Sequence, residues 1–131
     1  MKEADIKRAM VQSMKDAGSY GRRIEDQYAV GTYDLILIPF GLPVFMAEVK
    51  MIKDNTFGPT LRQFVELERI KHVGFGAQHV IPVMIGWKND VYYFSAPKMN
   101  IARNECFSVT TTHKTFHDQL VLYYHSMKGA K

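Results

Sequence analysis

Cysteine is nearly absent: Cys106 is the only one in 131 residues. That excludes an internal disulfide framework and any zinc site built on several thiolates, and it fits a reducing compartment. Stability must therefore come from packing. No window approaches the roughly 18 consecutive apolar residues of a membrane span. The opening MKEADIKRAM turns charged at once and has no apolar signal-peptide core, so a soluble, cytoplasmic protein is expected, with no membrane partner. No repeat, low-complexity tract or Gly/Ser linker marks a domain boundary. An acidic excess is missing too. Seventeen Lys+Arg against thirteen Asp+Glu give a formal charge of +4 and a pI of about 9.2, a mild bias toward a polyanionic partner.

What is present suits one domain, since 47% of the residues are hydrophobic and the chain is long enough for a real core. Ile6, Met10, Met14 and Ala17 form a helical stripe, and Gly18 follows as a C-terminal cap. RRIEDQYAV reads as a weak strand, and residues 34–38 and 44–52 read as a firm strand pair joined at the corner PFGLP. Thr60 is a candidate cap for a helix running to about Val73, closed by Gly74. HVIPVMIGW and DVYYFSAP then form strands around the turn KND, with Pro82 arguing for an edge or a bulge. Phe116, Leu120, Tyr123 and Met127 mark a last helix. The order is α, β, β, β, α, β, β, followed by that helix.

The strand pair carries charges that a buried hairpin should not keep without partners: Asp34, Glu48 and Lys50. Alternation puts Glu48 and Lys50 on one face with Val44, Met46 and Ile52. With Gly41 as the midpoint, Asp34 and Glu48 stand opposite one another, their Cβ atoms about 4.5 to 5.5 Å apart. One divalent ion can then touch both carboxylates, whereas a register shift of one residue would destroy the arrangement. On the first helix Glu3 lies within the apolar arc; it can join the site, or it can complement the helix dipole and pair with Lys7 four residues on. On the second helix Gln63 shares a face with Leu67 and Ile70, where its amide needs a partner, either in the site or in the core.

Two carboxylates and a lysine on one face suit phosphodiester hydrolysis. The carboxylates hold a hard metal that polarises the phosphate and acidifies water. The lysine can orient the attacking water, offset charge on the phosphoryl oxygens or accept a proton. In this order (acid-bearing helix, acid, Glu-x-Lys, glutamine-bearing helix) the chain resembles the PD-(D/E)XK nuclease superfamily. RRIEDQYAVGTYDLILIPFGLPVFMAEVK with LRQFVELERIKHVG is similar to its VRR-NUC and Holliday-junction-resolvase-like branch, which includes phage-encoded versions. The resemblance spans about residues 3–97.

That resemblance implies an α/β, restriction-endonuclease-like core: a mixed sheet with an antiparallel catalytic hairpin flanked by helices. It implies a single domain over 1–131, with its core at about 3–97 and a C-terminal extension carrying a helix at 98–131. Catalytic roles fall on Asp34, Glu48, Lys50 and Gln63, and metal ligation on Asp34, Glu48, the backbone carbonyl of Val49, and Glu3, for Mg2+ or Mn2+. Gly31 matches the glycine ahead of the motif acid, while Tyr33 stands where the family usually has proline. A phage origin would place the protein in the host cytoplasm.

Arg22, Arg23, Lys53, Arg62, Arg69 and Lys71 surround these elements as candidate DNA-backbone contacts. His113 and His117, four apart, lack a third ligand at zinc spacing and are read as a cap and a surface residue. His72, His79 and His125 carry no assignment, and Cys106 beside Phe107 is read as a packed side chain. Phe116, Tyr123 and Tyr124 are read as core, with a dimer face as the other option. The expectation is a metal-dependent deoxyribonuclease selective for branched DNA, because a small domain has little surface for reading a long sequence; a two-fold dimer would suit cutting both strands. A DNA-binding module that keeps the fold without cutting is the alternative, and an interaction protein whose charges form an ordinary ion-pair network is a third.

Overall fold

Met14 and the residues after it show how local chemistry sets the first boundary. Helix α1, Glu3–Asp16, buries Ile6, Met10 and Met14, which recur every fourth residue and so lie along one side. Ala17 is not part of the buried stripe; it is the exposed C-cap. Gly18 follows at φ 76°, with its N–H donating to Lys15 O at 3.0 Å and the N–H of Ser19 to Met14 O at 2.9 Å. That pair of bonds is a Schellman motif, and the left-handed turn at Gly18 sends the chain back along the helix as strand β1, Tyr20–Arg23. The structure is a computed structural model that describes residues 2–24, 33–73, 80–109 and 115–129. Only the start of the expected RRIEDQYAV strand therefore falls in β1; residues 25–30, Gly31, Gly74, His79 and His113 lie outside the described residues.

Strands β2, Leu35–Ile38, and β3, Val44–Met51, form the expected antiparallel hairpin. Leu35 pairs with Ala47, Ile36 with Met46 and Leu37 with Phe45, which centres the turn on Gly41 as the sequence suggests. The chain continues through β4 (Thr56–Phe57), α2 (Leu61–Val73), β5 (Val80–Lys88), β6 (Val91–Ser95), β7 (Ile101–Ala102), β8 (Phe107–Ser108) and α3 (Phe116–Gly129). Asn89 and Asp90, both at positive φ (50° and 65°), make the tight turn between β5 and β6. The main sheet has the order β1-β2-β3-β5-β6-β8, with β3 and β5 parallel, and β4 pairs with β7 in a separate ribbon.

Pro82 corrects one expectation. Strand β5 is interior, flanked by β3 and β6, not an edge. The N–H of Ile52 donates to Trp87 O, so the odd-numbered residues of β5 direct their backbone groups to β3 and Pro82 directs its own toward β6. Pairing with β6 begins only at Met84, so proline's missing donor falls where no partner strand runs among the described residues.

The sheet has two covered faces. On one, α1 and α3 bury Leu35, Leu37, Phe45, Ala47, Val49, Val83, Ile85 and Phe94. On the other, Leu67 of α2 joins Ile52, Phe57, Met84 and Ile101. Helix α3 is part of the first core: Phe116, Leu120 and Tyr123 are buried, and Tyr123 stacks on Phe94 with ring centroids 5.3 Å apart. Each such aliphatic or aromatic side chain contributes about 1.5–3 kcal/mol of transfer free energy.

Candidate active site at the open end of the hairpin

Asp34 stands one residue before β2, at the end of the hairpin far from Gly41. Its backbone serves both neighbours: the N–H donates to Ala47 O at 2.9 Å and the C=O accepts the N–H of Ile24 at 2.9 Å. Its side chain then takes over the ladder, with Oδ2 accepting the N–H of Val49 at 2.9 Å. The other oxygen, Oδ1, lies 3.1 Å from the ammonium of Lys7, and that ammonium is 3.3 Å from Oε2 of Glu3. Lys7 is only 13% exposed, so helix α1 delivers a largely buried cation to the acid. Its position was legible, because Met10 and Met14 lie three and seven residues on along the same face.

The ladder between β2 and β3 ends at Leu35–Ala47, and the Asp34 N–H stays on Ala47; it is the Asp34 side chain that meets Glu48. Glu48 is fully buried, and among the described residues the one group its carboxyl meets is the carboxylate of Asp34, to which it donates when protonated. Burial, and next the charge of Asp34, push its carboxyl from an ordinary 4.5 up to about 9, while Lys50 and Lys7 pull the other way. Lys50 shares the face of Glu48, makes no ion pair among the described residues and pairs across the ladder with Gly86. Asp34, Glu48 and Lys50 are thus brought together at the carboxyl end of β3, beside its parallel neighbour β5. Open α/β sheets bind their ligands at this end of parallel strands.

The remaining expected site residues divide. Val49 belongs to the site through its backbone: its N–H holds Asp34, and strand geometry turns its carbonyl to the same side. Glu3 forms the pair with Lys7 and reaches Asp34 only through that ammonium. Gln63 caps its own helix. Its Oε1 accepts the N–H of Thr60 at 2.9 Å while its N–H donates to Thr60 Oγ1 at 3.2 Å, a reciprocal capping box. Thr60→Ala is expected to cost about 1 kcal/mol in urea melts, and Gln63→Glu, which keeps the acceptor, almost nothing. A loss of activity in Gln63→Glu without a loss of stability would then reveal a chemical role beyond the cap.

Arg22 and Arg23 lie on β1 beside the hairpin, Lys53 is exposed just after β3, and Arg62 and Arg69 lie on the exposed side of α2, where Arg69 pairs with Glu66 at 3.8 Å. Lys71 is in α2, but its side chain lies outside the described residues. The ring nitrogens of His117 engage Ser19 Oγ at 2.9 Å and Asp118 Oδ1 at 3.4 Å. The Cys106 thiol is half-buried, pushed up to about 11 mainly by burial, and donates to Ala102 O, as suits a packed side chain.

Among the described residues no group of three or more His, Cys, Asp or Glu side chains is gathered for a metal. A hard divalent ion nonetheless fits the donors that are present: the buried Glu48 carboxyl, the Asp34 carboxylate against it and a backbone carbonyl, with the ion replacing the proton between the two acids. Magnesium commonly takes only one or two carboxylates and completes its shell with water and substrate oxygens.

The sequence matches no family model and no curated protein. The structure is similar to that of Hjc, a Holliday junction resolvase from the archaeal hyperthermophile Archaeoglobus fulgidus. The TM-score is 0.62 at 14% identity, over 79% of this chain and 93% of that one. The chain therefore has the restriction-endonuclease-like fold of that resolvase, a mixed sheet with an antiparallel hairpin flanked by helices.

Proposed function

We propose that the protein is a metal-dependent endonuclease that hydrolyses phosphodiester bonds in branched DNA, with a PD-(D/E)XK-type site. The observation that carries this reading is Glu48: a fully buried carboxyl group against a second carboxylate, Asp34, is costly unless a cation or a shared proton compensates the pair. The fold shared with a junction resolvase supports the choice of substrate class. In this reading Asp34, Glu48 and the Val49 carbonyl hold Mg2+ or Mn2+, with Glu3 as an outer contributor. The metal supplies charge stabilisation to the phosphoryl oxygens and lowers the pKa of water.

The protein's own groups do the rest. The Val49 N–H and the Lys7 ammonium fix the Asp34 carboxylate, and the rigid β3 strand sets Glu48 and Lys50 two residues apart on one face. Lys50, free of ion pairs among the described residues, is available to a scissile phosphate or its attacking water. Arg22, Arg23, Lys53, Arg62, Arg69 and Lys71 would contact the backbone of the bound strands. The Glu-x-Lys pair and Gln63 support a finer placing in the VRR-NUC and Holliday-junction-resolvase-like branch, and two-fold pairing would serve a four-way substrate.

The test is a cleavage assay on labelled four-way, flap and linear DNA with magnesium, manganese or chelator. Cutting that needs the metal and favours the branched substrates is expected. Binding without cutting under every condition would move the protein to a DNA-binding module.

A further inference from the structure

We propose that the cavity between β4 and the turn after β7 is a second phosphate site, in which Arg103 holds a backbone phosphate of the DNA strand being cut; the proposal rests on the nuclease reading above. The cavity has a volume of about 330 Å3 and is lined by Asn55, Thr56, Ala102, Arg103 and Asn104. All of its polar side chains are neutral or cationic. Two acids flank the lining in sequence: Glu105, occupied by Lys98 at 3.3 Å, and the exposed Asp54 beside Asn55.

Arg103 is held in place before any ligand arrives. Its backbone N–H donates to Asn55 O at 2.8 Å, its Nη2 donates to Asn55 Oδ1 at 3.2 Å, and its guanidinium lies 5.7 Å from the centroid of the Tyr93 ring. The loop carrying Asn55 is pinned in turn, because the Lys88 ammonium donates to Lys53 O at 3.1 Å and Asp54 O at 2.8 Å. A stacked guanidinium with one donor engaged keeps the rest of its planar fork for an anion, and phosphate oxygens match that fork.

Sheet register ties this cavity to the active site. Lys50 pairs with Gly86 and Gly86 pairs with Tyr93, so the three residues form one row on the face that carries Glu48; Ile52 and Phe57 cover Gly86, so the row sets the spacing of the two sites and the strand would pass over these side chains. Two strand spacings separate Lys50 from Tyr93, about 10 Å. A phosphate on Arg103 would then lie within a few nucleotides of one at Lys50, since successive phosphates stand farther apart than the axial rise of roughly 3.4 Å. The segment from 98 onward, which resembles nothing on sequence grounds, would thereby supply part of the DNA track.

The experiment measures binding of a labelled four-way junction by fluorescence anisotropy in chelator, so that nothing is cut, over about 50–200 mM salt. Wild type, Arg103→Ala and Arg103→Lys are compared, and their melting temperatures report any damage from losing the Asn55 contact. Arg103→Ala is expected to bind about tenfold more weakly and to lower the slope of log affinity against log salt by about 0.9, the value for one phosphate. Arg103→Lys loses the stack and the fork but keeps the charge, so it should recover most of the slope. An unchanged slope in Arg103→Ala, with wild type binding normally, would overturn the site and leave the nuclease reading standing. Failure of wild type to bind the junction would overturn both. A melting shift by inorganic phosphate that Arg103→Ala abolishes, without a change in DNA slope, would assign the cavity to a free anion instead.

Discussion

Without metal, the protein is expected to lose about 1.4 kcal/mol of stability per pH unit as the pH rises from about 5 toward 9. The cause is Glu48, whose carboxyl is raised from 4.5 to about 9, mainly by burial and then by Asp34. Between those two values the unfolded chain has released the proton and the folded chain still holds it, so raising the pH favours unfolding. The stabilisation is fully present below 4.5 and is lost as the pH passes through about 9. Urea melts across the pH series read the slope directly. Glu48→Gln, an uncharged near-isostere, should flatten it and be the more stable protein at pH 8. Added magnesium should stabilise wild type most at high pH, where displacing the proton costs least, and should leave Glu48→Gln unmoved. A flat wild-type profile would mean that Glu48 is ionised and compensated by something other than a proton.

The second large effect separates the carboxylates from the lysine. Glu48→Gln should abolish both metal binding and cutting, because it removes the one fully buried carboxylate among the described residues, the centre of the acid pair. Lys50→Ala should leave metal binding close to wild type, yet slow cutting by at least about 100-fold, the loss typical when a charge stabiliser is removed from a transition state. Calorimetric titration of manganese and single-turnover cleavage read the two quantities apart. Parallel loss of both quantities in Lys50→Ala would make the lysine a structural counter-charge for Glu48 rather than a partner of the phosphate.

Much of this site was legible because strand alternation and hairpin symmetry are short-range rules. Taking Gly41 as the midpoint predicts the register that the Leu35–Ala47 pair shows, while the Asp34 backbone departs from it by bonding to Ala47 and only its side chain reaches Glu48. The stripe of α1, the cap at Gly18 and the core role of Phe116 and Tyr123 follow from the same local periodicities. What was not legible depends on contacts between distant segments. The two-residue strands β4, β7 and β8 have no periodicity to read. Pro82 reads as an edge because its neighbours in space are unknown until β6 is seen to stop short of it. Gln63 has the spacing of a capping box with Thr60, three residues before it, but that reading competes with its place on the buried face. Lys7 carries a visible signal, yet nothing in sequence says that the end of α1 reaches Asp34. Arg103 has no local signal at all, because its partners, Asn55 and Tyr93, come from other strands and loops.

The most direct measurement is cleavage of one labelled four-way junction by wild type and Glu48→Gln, each with magnesium and with chelator. Strand cutting is expected only for wild type with magnesium, with Glu48→Gln folded, at least as stable and inactive. Cutting by Glu48→Gln at the wild-type rate, or by wild type in chelator, would contradict the assignment of the Asp34–Glu48 pair as the catalytic metal site.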